Sequence, residues 1–374
     1  MTESPHGSAS NAAGEGEAIA QRLPFRKRHP MLTVLLILAI VVPTVTGGTY
    51  AWHLNRKIDA IPRVNVDDDL ANRPDPAPGK SLNILLIGSD KAEGTRSSAK
   101  KTTVAQDAQA ETWPVGKYRS DTIMVAHISG DRKEVYLVSI PRDSFVLVYD
   151  DNGEPTSEAK INSAFSEYGP RGTISTVENL TGLRMDHLAI IDWEGFKDLS
   201  KAVGGVPVTI PETFYDSKQE IEWTKGKHVL KGKEALAYVR TRHGLAEGDF
   251  DRIKRQQNFM RALMGKMLDS GVTSNPIKLS NTVSALSNNL TLDSGFTNDA
   301  VRGLALSLRG VEAKDVTFMT APKGSYDTDR VWGSIVRLDT ELTAQLFEAV
   351  ADDNLARFVA DNPDLALGAP ETVK

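Results

Sequence analysis

The sequence predicts an α/β layered domain behind one N-terminal membrane-spanning helix, and three observations carry that prediction. Met31 to Trp52 (MLTVLLILAIVVPTVTGGTYAW) runs twenty-two residues without a charge, and a bilayer needs roughly 20. Leu82 to Ile87 (LNILLI) is a near-continuous apolar run, the mark of a buried strand. Downstream, strand-like runs alternate with amphipathic helical stretches, which is the pattern of helices layered on a sheet.

Taken in order, residues 1–30 are rich in Gly, Ala, Ser and Glu and read as a disordered tail. They end in Arg22, Arg26, Lys27 and Arg28, and Tyr50 and Trp52 mark the far end of the apolar run. That asymmetry places the tail in the cytoplasm and everything after the 31–52 helix outside the cell, as a single-pass protein of the cell membrane. A cleaved signal peptide is the competing reading, but no small-x-small site follows the run. Residues 53–80 form a Pro- and Asp-rich spacer. The folded domain is expected over 81–361. Its first strand, Leu82–Ile87, is ended by Gly88, Ser89 and Asp90. Residues 91–117 lack any period and read as a long loop, followed by strands at Thr122–Ile128 and Glu134–Ile140. Helices are expected at 159–168 and 172–181, broken at Gly169-Pro170, then a strand at 187–191, a helix at 193–203 and a strand at 206–210. Further helices are expected at 273–289, 297–308 and 338–351, with a strand at 316–320, and residues 362–374 as a loose tail.

The composition, 40% hydrophobic and 25% charged over 374 residues, supports a sizeable core. The absence of cysteine excludes disulfides, thiolate metal sites and cysteine nucleophiles. A formal charge of -5 and the lack of any DNA-reading motif argue against a nucleic-acid partner.

Positive charge is nevertheless concentrated. Between Gly226 and Arg261 nine Lys or Arg stand against four Asp or Glu, a local excess of five. Arg240 and Arg242 are two apart and project to one side if that segment is extended or leaves a helix end. Arg252, Arg255 and Gln256 fall at i, i+3 and i+4 of a helix capped by Asp249 or Asp251. A helix N-terminus with a basic face suits an anion, here a phosphate or pyrophosphate. The alternative is a solvated basic helix whose arginines pair with nearby carboxylates. Three strand ends present Asp90, Arg119 with Asp121, and Arg142 with Asp143; spacing leaves open whether they meet. Phe165, Tyr168, Trp193, Phe196, Tyr238 and Phe259 read as core, as does His127 on its strand.

The segments LLIGSD (85–90), YRSDTIMVAHI (118–128), VSIPRDSFV (138–146), KINSAFSEYGP (160–170), TVENLTGL (176–183), DHLAIIDWEGF (186–196), VGGVPVTIPE (203–212) and LKGKEALAYVRTR…GDFDRIKRQQNF (230–259) resemble, in order, the motifs of the LytR-CpsA-Psr family. The resemblance covers about residues 82–268. It implies an α-β-α sandwich and a membrane-anchored phosphotransferase that moves an anionic glycopolymer from a polyprenyl-pyrophosphate carrier to peptidoglycan. Mg²⁺ would assist, with Mn²⁺ as the alternative ion. By position, Asp90 and Asp121 match the family's metal-binding acids. Arg119, Arg142, Arg240, Arg242, Arg252 and Gln256 match its pyrophosphate contacts, and Lys160 and Arg255 match further basic positions. Asp121, Arg142 and Asp90 are thereby the expected catalytic group. One departure stands out: Lys91 and a loop of about thirty residues separate the two acids, where family members place them closer. The competing functions are a pyrophosphatase using water as acceptor and a non-catalytic polymer-binding or regulatory protein. A DNA-reading regulator is disfavoured because the tail on the cytoplasmic side is too short and polar for such a fold.

Overall fold

Seven strands pair edge to edge into one mixed sheet. In chain order they are β1 (Arg63–Val64), β2 (Leu82–Lys91), β3 (Tyr118–Ile128), β4 (Val135–Ile140), β5 (His187–Asp192), β6 (Leu290–Asp293) and β7 (Val316–Thr320). Their spatial order is β1-β6-β5-β2-β3-β4-β7, with β2 parallel to β5 and antiparallel to β3. The helices are α1 (Val104–Ala108), α2 (Asn162–Thr181), α3 (Trp193–Ala202), α4 (Lys233–Arg240), α5 (Asp249–Leu268), α6 (Pro276–Asn289), α7 (Asn298–Ser307), α8 (Thr340–Ala351) and α9 (Leu355–Asp361). This computed structural model describes residues 49–50, 52–66, 70–77, 79–91, 102–110, 112–241, 249–268 and 275–373. The folded unit runs Leu54–Lys374. The predicted cytoplasmic tail and almost all of the predicted spanning segment lie outside the described residues, among which no helix is long and apolar enough to cross a membrane.

Both faces of the sheet are covered, which is why its strands read as continuous apolar runs rather than alternating ones. Leu85 and Ile87 of β2 meet Phe165 and Val177 of α2 and Leu346 and Phe347 of α8 on one face. Ile84 turns to the other face, against Met260 and Met264 of α5 and Leu304 of α7. A further core beside α3, α4 and α5 gathers Phe196, Val206, Tyr238 and Phe259. His127 is a satisfied core residue, with Nδ1 2.8 Å from Asn83 Oδ1 and Nε2 3.0 Å from Asp353 Oδ1; burial holds its pKa below the usual value.

Several segments differ from the sequence expectation. The 53–80 stretch is part of the domain: β1 pairs with β6, Leu70 is buried, and Arg73 donates to Glu178 of α2 at 2.8 and 2.6 Å. The 91–117 loop contains α1, capped by Thr103 and Gln106. Lys117 and the Tyr118 hydroxyl hold Asp107 there. Ala159 lies in a hairpin, Phe145–Tyr149 with Pro155–Lys160, and α2 starts only at Asn162. Residues 362–373 pack on the domain, where the Leu367 N–H donates to Phe318 O and Val373 is buried.

The Glu178 carboxylate is fully buried, so removing it leaves the Arg73 guanidinium, still bonded to Met185 O, stranded without this countercharge. Glu178→Ala is expected to destabilise the domain by about 3–5 kcal/mol. Urea unfolding followed by circular dichroism checks this; a loss under about 1 kcal/mol would mean that water relieves the stranded guanidinium.

Candidate active site

The predicted acids lie where β2 and β3 run out of the sheet. β2 does not stop at Gly88, because Tyr118–Ser120 stays extended beside it and carries the pairing on to Lys91. Asp90 stands opposite Arg119 in that ladder. Ser89 pairs with Ser120 and Gly88 with Thr122, which leaves Asp121 as the extra residue of a β-bulge. A bulge takes its residue out of the regular alternation and re-aims the side chain. Asp121 accordingly accepts a 2.5 Å bond from Arg142 Nη1. The GSD glycine is needed for the close fit: a Cβ on Gly88 would lie 3.0 Å from that of Thr122.

Arg142, just past β4, is the hub of the site. Its Nε lies 3.6 Å from Asp143 Oδ2 and 3.9 Å from Asp249 Oδ1. Each of these acids has a second cation, Lys160 at 3.2 Å from Asp143 and Arg252 at 2.6 Å from Asp249. Burial works against the charge on Arg142, yet Asp143, Asp121 and Asp249 together hold its pKa above the ordinary guanidinium value. Alternating signs compensate every charge in this half-buried space. Asp143 and Asp249 were legible in the sequence only as a neighbour of Arg142 and a helix cap.

Arg240, at the end of α4, forms an ion pair with Asp90, and its guanidinium lies 4.7 Å over the Trp193 ring. Trp193 thus packs on the core beside Phe196, as expected, and also borders the site through Arg240. Gln256 links the two groups of charges, accepting from Thr122 Oγ1 and donating Nε2 to Val239 O, both at 3.3 Å. Arg119 is exposed on its strand. Arg242 lies outside the described residues.

Arg255 departs from its expected role. Successive helix residues diverge by about 100°, so Arg255 and Gln256 cannot point the same way. Arg255 is fully buried between the Phe214 and Tyr238 rings, at 5.0 and 5.3 Å, and donates Nη1 to Thr241 O at 3.0 Å. Burial lowers its pKa and leaves it no surface for a pyrophosphate. Trp223 Nε1 and Gln219 Nε2 hold Thr241 Oγ1 at 3.2 and 3.1 Å. The residue between Arg240 and Arg242 is thus clamped from two sides, and Arg255 is a positioning residue.

Beside the charges opens an apolar cavity of about 260 Å³, with Gly88, Thr122, Gln256 and Trp193 at its polar edge and Phe196 and Met260 among its apolar walls. As for a metal, Asp90 and Asp121 on neighbouring strands are hard oxygen donors. Among the described residues no group of three or more His, Asp or Glu is placed to hold an ion alone. Asp90 and Asp121 each now hold an arginine, so the two acids would hold an ion only with its shell completed by substrate phosphate and water.

Comparison with known proteins agrees with this geometry. The LytR_cpsA_psr family model matches residues 52–349. The cell wall biosynthesis protein LcpA of Corynebacterium glutamicum is 30% identical over 348 residues, which is 86% of this chain and 65% of LcpA. The polyisoprenyl-teichoic acid–peptidoglycan teichoic acid transferase TagV of Bacillus subtilis is 36% identical over 252 residues, 65% of this chain and 59% of TagV. The chain thus spans a little under two thirds of the length of these relatives. The crystal structure of B. subtilis TagV superposes with a TM-score of 0.57 at 26% identity, covering 74% of this chain and 98% of that one. With the family's α/β fold, its motifs in order and their charged side chains gathered at one end of the sheet, this chain belongs to the LytR-CpsA-Psr family.

Proposed function

We propose that this chain is a membrane-anchored transferase, acting outside the cell, that moves an anionic glycopolymer from a polyprenyl-pyrophosphate carrier to a peptidoglycan hydroxyl. The observation that carries this reading is the contiguity of two unlike surfaces: a multi-arginine charge cluster and an apolar cavity that share Thr122 and Gln256. An amphiphile with a pyrophosphate head and an isoprenoid tail matches that pairing. The name of TagV, a teichoic acid transferase using a polyisoprenyl carrier, supports the same substrate class.

Planar guanidinium forks suit phosphate oxygens better than ammonium groups do. Arg142 and Arg240, each now paired with a carboxylate, would exchange that partner for pyrophosphate oxygens, while Arg252, matched to the family's pyrophosphate face but only 2% exposed, holds Asp249 in place. Mg²⁺ or Mn²⁺ bound by Asp90 and Asp121 would withdraw negative charge from the same oxygens. The acceptor oxygen forms its bond to the sugar-proximal phosphorus. The bridging P–O bond breaks toward the lipid, which leaves as its monophosphate, and the hydroxyl proton passes to Asp121 or Asp90. Positioning and charge stabilisation do most of the work, as is usual in phosphoryl transfer.

Arg255→Met, which keeps the bulk but not the bond to Thr241, is expected to raise the donor KM about fivefold through a displaced Arg240. Steady-state kinetics check it. To test the function, the full chain in detergent is given a polyprenyl-pyrophosphate glycan, Mg²⁺ and peptidoglycan fragments. Phosphodiester-linked glycan and lipid monophosphate in equal amounts are expected. Lipid monophosphate without linked product would replace the transferase by a pyrophosphatase, and binding without turnover would remove the enzyme assignment.

A further inference from the structure

Resting on the transferase reading, we propose that the hairpin Lys323–Asp329/Gly333–Leu338, its exposed Tyr326 braced from beneath by the buried Phe250, is the platform on which the peptidoglycan acceptor lies. The hairpin follows β7 and leans on the site itself. Val336 N–H donates to Asp143 O at 2.9 Å, and Val336 bridges Ser144, one and two residues past Arg142. Ile335 and Val336 are buried, and Trp332 near the turn packs on Val148 and Ala164. The second strand is thus fixed to the domain while residues 323–328 face out.

On that outward strand Tyr326 pairs across to Val336, and the residue is 50% exposed. Phe250, the second residue of α5 and adjacent to Asp249, meets the Tyr326 ring edge-on at 5.8 Å and 89°. Lys323 Nζ sits 4.6 Å from the Tyr326 centroid and 4.8 Å from that of Phe250. The ring is held in place before any ligand arrives, so little side-chain freedom is lost on binding. A single apolar ring on a strand whose other exposed residues include Lys323, Ser325, Asp327 and Thr328 is too small and too polar for a protein interface. It suits a pyranose, whose C–H face stacks on the ring while its hydroxyls reach the polar rim. The Lys323 ammonium complements the carboxylates that peptidoglycan carries.

The sheet order says which sugar. The apolar cavity opens at β5, β2 and β3, through Ala189, Gly88 and Thr122, whereas the platform follows β7 and abuts the segment after β4. Asp121 and Arg142 lie between them. In an in-line displacement the attacking oxygen approaches opposite the leaving group. With the departing lipid phosphate on the cavity side, the attacking hydroxyl comes from the Tyr326 side.

The test uses full chain in detergent with two readouts: co-sedimentation with purified sacculi, and acceptor and donor KM in the transfer assay. Tyr326→Ala is expected to lose sacculus binding and to raise the acceptor KM about tenfold, with the donor KM shifted less than about twofold. Tyr326→Trp, which keeps the stacking surface, is expected to restore both. Unchanged sacculus binding in Tyr326→Ala overturns the platform, as does a rise confined to the donor KM, which would assign the hairpin to the donor glycan. If wild type sediments with sacculi through Tyr326 yet transfers nothing, the platform stands and the transferase reading falls.

Discussion

Arg142→Ala is expected to lower glycan transfer by about 10³-fold, because it would remove a preorganised cation from the place where charge develops in the proposed reaction. The effect is large for a second reason specific to this site. Asp121, Asp143 and Asp249 all face Arg142, and alanine leaves only Lys160 and Arg252 to offset the three acids, so a net negative charge meets the incoming pyrophosphate. Arg142→Lys keeps the charge but not the fork, and is expected to recover only part of the rate. Single-turnover transfer at saturating donor, with circular dichroism to confirm folding, checks both. A rate in Arg142→Ala within about tenfold of wild type would show that the hub is structural.

Asp121→Asn is expected to lower kcat by about 10²–10³-fold without raising the donor KM. The amide keeps the shape of the bulge residue and can still accept from Arg142. What it loses is the negative charge, whether that charge takes a proton or holds an ion. A substitution that weakened donor binding as much as turnover would instead make Asp121 a support for Arg142. Because the two residues touch, the double variant Asp121→Asn/Arg142→Lys should fall well short of the product of the single losses.

The buried framework was legible in the sequence because burial leaves a pattern. LNILLI and TIMVAHI became β2 and β3, and VTFMT became β7 with the expected bounds. Elements whose pairing is set by neighbours left none. PTSEAK and KGSYDTD are polar, mostly exposed strands without alternation, so both hairpins that flank Arg142 went unseen. The extension of β2 to Lys91 was hidden for the same reason, since the polar residues Ser89 and Asp90 pair only because β3 lies beside them. Within the site, motif positions located Asp90, Asp121, Arg142, Arg240, Arg252 and Gln256, but not which of them touch. Helical spacing grouped Arg255 with Arg252, where only the depth of packing shows that Arg255 serves Thr241. Asp143, Asp249 and Trp193 carried no spacing signal of their own; their roles come from convergence on Arg142 and Arg240.

The central claim, that the Arg142 and Arg240 groups form one pyrophosphate site at the mouth of the apolar cavity, is tested most directly by binding. Full chain in detergent would be titrated with geranylgeranyl pyrophosphate and followed by phosphorus NMR. Arg142→Ala and Arg240→Ala are each expected to weaken Kd at least about tenfold. Arg302→Ala, a surface arginine paired with Asp59 and Asp299, should bind as wild type does. Equal affinity in all three variants would contradict the site.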